Sequence, residues 1–304
     1  MAKDSSIPDY VKVSTFLFID EYERSIGENV RGVIFNKFMT LMNHDFKNTK
    51  GIDIKLPHNW YRWGDEVVKY YIKSYTKWDH EDLGITTVSW RGGVPDFNLN
   101  DPTVVEIREY IKGHIEKYSD EDGWERAIDA LYAEAPYPFQ NEYRKLRENL
   151  KGVTTRLIYI QDYHQDLLTS LFDNAMNAFP NAFSEIKKEK LDFESVFRLA
   201  SENGAPIDDL RDMVERFWFF FCYYLRVDKK CHENISPETV EVWKSVIPWE
   251  KEMYIRSLQD TAYELQLNGK EKRIGPILEE REERVNEFND LLEEFRATDE
   301  KKET

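Results

Sequence analysis

Apolar residues in the first half of the chain recur mostly at the three- and four-residue spacing of an amphipathic helix. Residues 30–46 show this spacing clearly, and residues 10–23 combine it with alternation, so both are predicted as helices that pack together across a turn at Gly27. Asp101 and Pro102 are typical of a helix start, with the aspartate as the cap. The same spacing predicts helices at residues 65–75, 101–115, 124–132 and 139–150.

Two short stretches have the pattern of strands instead. Residues 52–56 alternate and are predicted as a strand or loop edge, and residues 86–90 carry the β-branched and aromatic side chains of a strand. The turn residues Arg91–Pro95 follow directly, which suggests a small wing-like hairpin. Helices with one minor hairpin predict a winged-helix-like α+β domain over residues 1–150.

The second half of the chain is predicted to be helical throughout, which makes the fold class mainly α. It forms an all-helical bundle domain over residues 151–298, followed by a disordered tail at 299–304. The last helix has a partial apolar seam, so it either folds back on the bundle or pairs with a second copy in a homodimer. The predicted helices cover residues 154–178, 193–202, 207–227, 237–245, 248–267 and 276–298.

The longest apolar run, residues 217–225, is much shorter than the roughly 20 residues that a membrane-spanning helix needs. We predict that it is a buried helix and expect no membrane partner. The first residues lack the pattern of a secretory signal. Cys222, which is expected in the core, and Cys231, which is expected in a more exposed loop, cannot make a disulfide framework. A cytoplasmic protein is therefore expected.

The charge of the chain is strongly negative, with 42 basic against 58 acidic residues and a net charge of −16. Such a chain repels polyphosphate unless its basic residues are gathered in one place. Only the stretch from Lys47 to Lys77 reverses the sign, with a local excess of +4, since seven basic residues oppose Asp53, Asp65 and Glu66. The seven are Lys47, Lys50, Lys55, Arg62, Lys69, Lys73 and Lys77.

The sequence carries none of the short motifs that identify a catalytic or phosphate-binding site, neither a Gly-x-Ser-x-Gly elbow nor a Gly-x-x-x-x-Gly-Lys loop. Its six histidines are scattered. The groups at residues 80–82 and 231–233 place adjacent side chains in different directions, which is typical of surface turns rather than metal sites. We therefore predict no catalytic residue, no metal and no cofactor, and an enzyme of an unrecognised class is the third hypothesis for function.

Residues 57–68 are the most distinctive segment, and two interpretations of it stay open. In the structural one, which is preferred, Trp60, Tyr61 and Trp63 fix a loop to the first two helices, and Gly64 adopts a backbone conformation that other residues disfavour. In the functional one, basic side chains bind phosphates while neighbouring tyrosines stack on bases. The basic residues in the functional interpretation are Arg62, Lys69, Lys73, Lys77 and, near the wing, Arg91.

Residues 60–68, with the sequence Trp-Tyr-Arg-Trp-Gly-Asp-Glu-Val-Val, resemble a motif of uncharacterised archaeal, chiefly haloarchaeal, proteins, although this chain is richer in lysine than those of extreme halophiles. That resemblance implies no activity. The layout of residues 1–150 is similar to the Panacea-type antitoxin domain: an opening helix pair, a Trp/Tyr-Gly segment before another helix, and residues 128–136 near the end. This second resemblance implies an antitoxin-like regulatory role and leaves the second half of the chain unexplained.

Two functional hypotheses lead from these observations. The first is a non-enzymatic interaction or regulatory protein that binds another protein, because an acidic surface attracts basic partners. The alternative is a nucleic-acid-binding regulator that uses residues 47–77 and the wing, where local positive charge would outweigh the overall repulsion.

Overall fold

The computed structural model describes residues 10–80, 85–118, 123–156 and 161–268 of the chain. These residues are mainly helical with short antiparallel strands, which confirms the predicted class. None of the described helices combines the length and the apolar character that crossing a membrane requires. The predicted helix 276–298, the homodimer through it and the predicted tail 299–304 lie outside the described residues.

Two helices and a three-stranded sheet form the first part of the chain. Helix α1 (Tyr10–Ile26) and helix α2 (Gly32–Asp45) confirm the first two predicted helices, with Gly27 in a left-handed conformation (φ +79°) after α1. Strand β1 (Val30–Arg31) pairs with β5 (Thr86–Trp90), which also pairs with β4 (Thr76–His80). The sheet is antiparallel and has the order β1-β5-β4.

A second sheet contains the distinctive aromatic segment. Strand β2 (His58–Tyr61) and strand β3 (Gly64–Val67) form a hairpin, and β2 also pairs with β6 (His232–Glu233) from the second half of the chain. The predicted helix at 65–75 is therefore wrong, and the helix α3 covers only Lys69–Ile72. Val67 has helical spacing to later apolar residues, but it pairs with His58 in the hairpin, because a tertiary contact overrides the local pattern.

The predicted wing-like hairpin forms with the strand before residues 86–90 in the chain, and not across the turn that follows them. Residues 86–90 form β5 as predicted, but β5 pairs with β4, which precedes it in the chain. The predicted turn Arg91–Pro95 follows β5 and is not the connection of the hairpin, although Trp90 Nε1 donates a hydrogen bond of 3.0 Å to the carbonyl of Gly93 within it. Residues 52–56 form no strand.

The remaining helices follow β5 in the chain. Asp101 caps one of them as predicted, since its Oδ1 accepts hydrogen bonds from the backbone N–H groups of Thr103 and Val104. A π-helical turn, Phe46–Lys50, continues α2, and a 3₁₀ turn, Asn181–Ile186, precedes α8. The helices are α4 (Pro102–Tyr118), α5 (Gly123–Ala133), α6 (Pro138–Arg156), α7 (Gln161–Asn177), α8 (Lys187–Glu202), α9 (Ile207–Val227) and α10 (Pro237–Asn268).

Residues 237–245 and 248–267, which are predicted as two helices, belong to the single helix α10. Pro248 lies inside it. A proline usually interrupts a helix because it lacks the backbone N–H and crowds the preceding turn. Trp243 and Tyr254, on either side of the proline, are both buried, so packing supports the helix before and after this position.

Helix α6 runs across the domain boundary that is predicted at residue 150. Spatial contacts group Met1–Arg256 into one compact unit and Ser257–Thr304 into another. Within the first unit, α6 packs against α9, and α9 packs against β2. Independent domains at 1–150 and 151–298 stay a prediction, but no break in secondary structure marks the boundary between them.

Aromatic rings fill the core in both halves of the chain. Phe18 of α1 stacks on Phe38 of α2 with ring centroids 4.1 Å apart. In α9, Phe217 stacks on Phe193 at 4.4 Å, and its neighbouring side chains along the predicted apolar run are largely buried. This confirms that the run at 217–225 is a buried helix, held by offset and edge-to-face ring contacts.

Candidate functional site

A buried carboxylate with two histidine partners forms the centre of the candidate site. The Asp65 side chain is completely buried, and one of its oxygens, Oδ2, lies 2.7 Å from His44 Nε2. The other oxygen, Oδ1, lies 2.8 Å from His58 Nδ1. Both are charge-assisted hydrogen bonds when the imidazoles are protonated, and together they satisfy a carboxylate that would otherwise be costly to bury.

The β2–β3 hairpin and the end of α2 position these three side chains. His58 and Trp60 are two residues apart in β2 and therefore point to the same face, and Asp65 of β3 pairs directly with Trp60. His44 lies in the last turn of α2, just before the π-helical turn. The hairpin thus presents Asp65 and His58 to the C-terminal end of α2.

Two glutamates contact the outward-facing nitrogens of the histidines. Glu134, just after α5, lies with Oε2 2.9 Å from His44 Nδ1. Glu233 pairs with His58 across β2 and β6, and its Oε2 lies 3.8 Å from His58 Nε2. Lys47 Nζ lies 2.7 Å from Glu233. The site is therefore a chain of alternating carboxylates and imidazoles, drawn from both halves of the sequence.

The pKa values of these groups reflect strong coupling. Burial alone would lower the pKa of His58, but the negative charge of Asp65, its hydrogen bond and the nearby Glu233 outweigh burial and raise this pKa to about 9. Burial alone would likewise lower the pKa of His44, but Asp65 and Glu134 raise it above its ordinary value. Burial would raise the pKa of Asp65, yet both histidines hold it well below its ordinary value. The nearby His58 and Lys47 lower the pKa of Glu233 to about 2, against the opposing effect of burial.

A cavity of about 290 Å³ opens beside these side chains, large enough for water or a small ligand. Asp65 itself does not line the cavity, whereas both of its histidine partners do. Cys231, expected to be exposed, is buried here, and burial raises the pKa of its thiol, so it is unlike a reactive cysteine. The cavity is lined by His44, His58, Trp60, Glu134, Pro136, Lys230, Cys231, His232 and Glu233.

Imidazole and carboxylate groups arranged in this way can bind a cation or hold and transfer a proton. Among the described residues, His44, His58 and Asp65 are the group whose ligand atoms all lie within 4.8 Å of one another. The sequence predicts no such site, because its histidines are scattered. The one local signal for the site is the alternation of His58, Trp60 and the residues after Gly64. This signal is informative only if the segment is assigned to a hairpin.

The aromatic residues of the hairpin have a structural role and contact α5 and α9. Trp60 is buried against Tyr132 of α5, with ring centroids 5.3 Å apart. The partly exposed Tyr61 lies edge-on to Tyr223 of α9 at 6.0 Å, and Trp63, which is 55% exposed, approaches α9 as well. That these rings fix a loop to the first two helices stays a prediction: β3 of the hairpin packs against α2, while β6 and α9 pack against β2.

Among the basic residues of the functional interpretation, Arg62 lies in the β2–β3 hairpin, whereas the other four lie on α3, on β4 or next to these elements. Arg62 packs over the Phe219 ring and donates a hydrogen bond of 3.1 Å to the Tyr223 hydroxyl. Lys69 lies over the Trp78 ring, and Lys73 lies over the Tyr70 ring.

Pairing with carboxylates further reduces the local positive charge. Lys77 lies in β4 and pairs with Asp79 at 2.8 Å, and Arg91 is exposed beyond β5. The stretch from Lys47 to Lys77 is also partly neutralised, since Lys47, Lys50 and Lys55 pair with carboxylates.

Replacing Gly64 with alanine should destabilise the protein by about 1–3 kcal/mol, because its φ is +92°. A Cβ at Gly64 would also lie 3.1 Å from the Tyr132 ring and 3.3 Å from Lys37 Nζ. Gly113 of α4 has open space at the Cβ position, so Gly113→Ala should instead stabilise the protein by up to about 1 kcal/mol. Urea denaturation measures both effects, and a Gly64→Ala variant as stable as the wild type would contradict this account of the turn.

The free energy of unfolding should fall as the pH rises from about 6.5 to about 8 in metal-free buffer. Above about pH 8 the buried Lys37, whose pKa burial lowers to about 8, changes stability in the opposite direction. The pKa of His58 is raised in the folded state, so protonated His58 stabilises the protein fully below its unfolded-state pKa. This stabilisation is lost as the pH rises through about 9, with a slope of roughly 1.4 kcal/mol per pH unit. Urea denaturation at a series of pH values tests this. His58→Gln should flatten the slope and His114→Gln should keep it, whereas equal slopes in all three proteins would contradict the prediction.

Comparison of the chain with protein-family models, with curated proteins and with solved structures finds no match. The resemblances to archaeal proteins and to Panacea-type antitoxins stay predictions. The function of the chain therefore has to be inferred from its own side chains: a coupled set of imidazoles and carboxylates beside a small cavity, and the surfaces around it.

Proposed function

We propose that this protein is a cytoplasmic, non-enzymatic regulatory protein that acts by binding another protein. A row of exposed apolar side chains on α10 carries the proposal. Val242, Val246 and Trp249 follow one another at four- and three-residue intervals, so they share one face of the helix. They are 64%, 41% and 45% exposed. Contiguous exposed apolar side chains of this kind favour a protein interaction site.

The charge of the whole chain favours a basic partner. The chain has a net charge of −16. Glu238 is exposed on α10, as are Glu241 and Glu252, which pair with Lys244 and Arg256 of the same helix. A complementary partner would present an apolar surface with lysine or arginine at its edge, which steers association and fixes its orientation. An antitoxin-like inhibitor, the role that the Panacea-type resemblance implies, is a regulatory protein of this kind.

Replacing Val242 and Val246 with aspartate should abolish capture of the partner from native-host extract by the tagged chain. Two charges would then have to be buried in the interface without partners. The matched control is Val33→Asp with Val105→Asp, two exposed valines on other helices. The proteins recovered are identified by mass spectrometry, with and without nuclease treatment. The proposal is wrong if the α10 variant and the control recover the same proteins, or if the wild type recovers none.

A second candidate is a nucleic-acid-binding regulator with a winged-helix-like domain within residues 1–150. What supports it is the sheet order β1-β5-β4, in which the first strand lies beside the last, and the chain order α1, β1, α2, α3, β4 and β5, which the β2–β3 hairpin interrupts between α2 and α3. Helix α3 would then face the nucleic acid, with Tyr70, which is 65% exposed, and Lys73 over its ring. Arg91 would contact phosphate from the end of β5.

Neutralising Lys69, Lys73 and Lys77 with glutamine should weaken binding of this second kind for all sequences similarly. It should also reduce the slope of log affinity against log salt by about one for each phosphate that the protein no longer neutralises. Fluorescence anisotropy with labelled random-sequence duplexes of DNA and RNA measures this effect. A variant with Lys145, Lys188 and Lys244 replaced by glutamine is the control. Superimposable salt curves for the two variants would exclude this surface as the binding site.

A further inference from the structure

The inner atoms of the candidate site have the composition of a metal centre. His44 Nε2, His58 Nδ1 and a carboxylate oxygen of Asp65 lie within 4.8 Å of one another, from α2, β2 and β3 respectively. Two imidazole nitrogens with one carboxylate are ligands that suit zinc and related transition-metal ions, whereas magnesium and calcium prefer oxygen ligands alone. The ligand set therefore selects the class of ion.

The outer nitrogen of His44 supplies an independent observation. A histidine that binds a metal usually donates its other ring N–H to a carboxylate, which fixes the tautomer and the orientation of the ring. Glu134 lies 2.9 Å from His44 Nδ1, which is a hydrogen-bond distance, so the inner nitrogen of His44 can turn a lone pair toward an ion. At His58 Nε2 the hydrogen-bond partner is the side-chain amide of Asn43 at 3.3 Å, and Glu233 lies farther away, at 3.8 Å.

The access of the site also fits a cation. With neutral imidazoles, Asp65, Glu134 and Glu233 contribute three negative charges, and Lys37, Lys47 and the cavity-lining Lys230 contribute three positive ones, so attraction of an ion depends on direct contact with the Asp65 carboxylate. The two histidines border the cavity of about 290 Å³, which gives an ion a route from solvent and leaves room for a water molecule or small ligand beside it.

The side chains must adjust to bind an ion, because two ligand atoms at about 2.0–2.2 Å from one zinc ion are at most about 4.4 Å apart. The atoms of His44, His58 and Asp65 lie within 4.8 Å of one another, so the most widely separated pair has to come closer. The nitrogen–oxygen distances of 2.7 and 2.8 Å are hydrogen-bond distances. Ligands at about 2.0–2.2 Å from zinc are separated by roughly 3 Å or more, so these atoms would have to move apart by a few tenths of an ångström. His44 can supply this movement, because its side chain is partly exposed and lies at the end of α2.

We propose that His44 Nε2, His58 Nδ1 and the Asp65 carboxylate bind one divalent transition-metal ion, with zinc as the representative, and that the cavity faces its remaining coordination position. Glu134 orients His44. This site goes beyond the proposed protein-binding function and does not depend on it, because its residues lie on α2, the hairpin, the end of α5 and β6 rather than on the exposed row of α10.

The test uses the full chain without a polyhistidine tag, stripped of metal with a chelator and then titrated with Zn²⁺ by isothermal calorimetry. The wild type should bind one Zn²⁺ per chain. Glu134→Gln should weaken binding about 10- to 100-fold, as loss of an outer carboxylate does, and His44→Gln should weaken it more. His114→Gln, which changes a histidine stacked on Tyr110 outside the site, should leave the affinity unchanged.

Visible absorption of Co²⁺ bound in place of zinc gives a second readout. His44→Gln should change the ligand-field bands of the bound ion, and His114→Gln should not. Thermal melting in chelator shows that each variant is folded, and Glu134→Gln keeps the test valid where His44→Gln does not fold. Absence of zinc binding by the wild type, or wild-type affinity in every one of the two variants His44→Gln and Glu134→Gln that folds, would overturn the proposal. Capture of a partner protein is not part of either readout, so failure here and failure of the protein-binding function are distinguishable.

Discussion

The buried carboxylate of Asp65 is the constraint on which the centre of the structure depends. A carboxylate without access to water must be paired, and Asp65 takes a partner for each oxygen, His44 from α2 and His58 from β2. Its own backbone carbonyl also accepts a hydrogen bond of 2.9 Å from the buried Lys37. These contacts fix the hairpin against α2, since any shift of the hairpin would leave a buried charge unpaired.

The hairpin also connects the two halves of the chain. On one side, Trp60 packs against Tyr132 of α5, and on the other, its backbone N–H donates to the carbonyl of Cys231 at 2.7 Å. The indole N–H of Trp218 in α9 donates to the carbonyl of Arg62 at the hairpin turn, at 2.8 Å. The fold of the first half and the helical packing of the second half therefore meet at one short hairpin, which explains why α6 shows no break at the predicted boundary.

The imidazoles and carboxylates of the candidate site lie at this junction, whereas the row of exposed apolar side chains lies on α10. The cavity beside His44 and His58 is bordered by polar groups, whereas Val242 and Val246 are presented on the outside of a helix. The two features suit different partners, a small cation for the first and a protein surface for the second. Packing of the half-buried Arg62 over Phe219 and the pairing of Lys77 with Asp79 leave less positive charge for nucleic acid than the basic stretch indicates.

The sequence by itself determined most of the helices, because their apolar spacing is local and repeats over several turns. Helices α1, α2, α4 and α9 and the cap at Asp101 are of this kind. Only the tertiary structure decided the hairpin at 58–67, where pairing with β6, more than 160 residues later, competes with helical periodicity. It also decided the site, since Glu134 and Glu233 are far in the chain from His44, His58 and Asp65, and the five residues share no spacing pattern. The physical reason is that periodicity reports which face of a segment is buried, whereas a site depends on which segments are packed together.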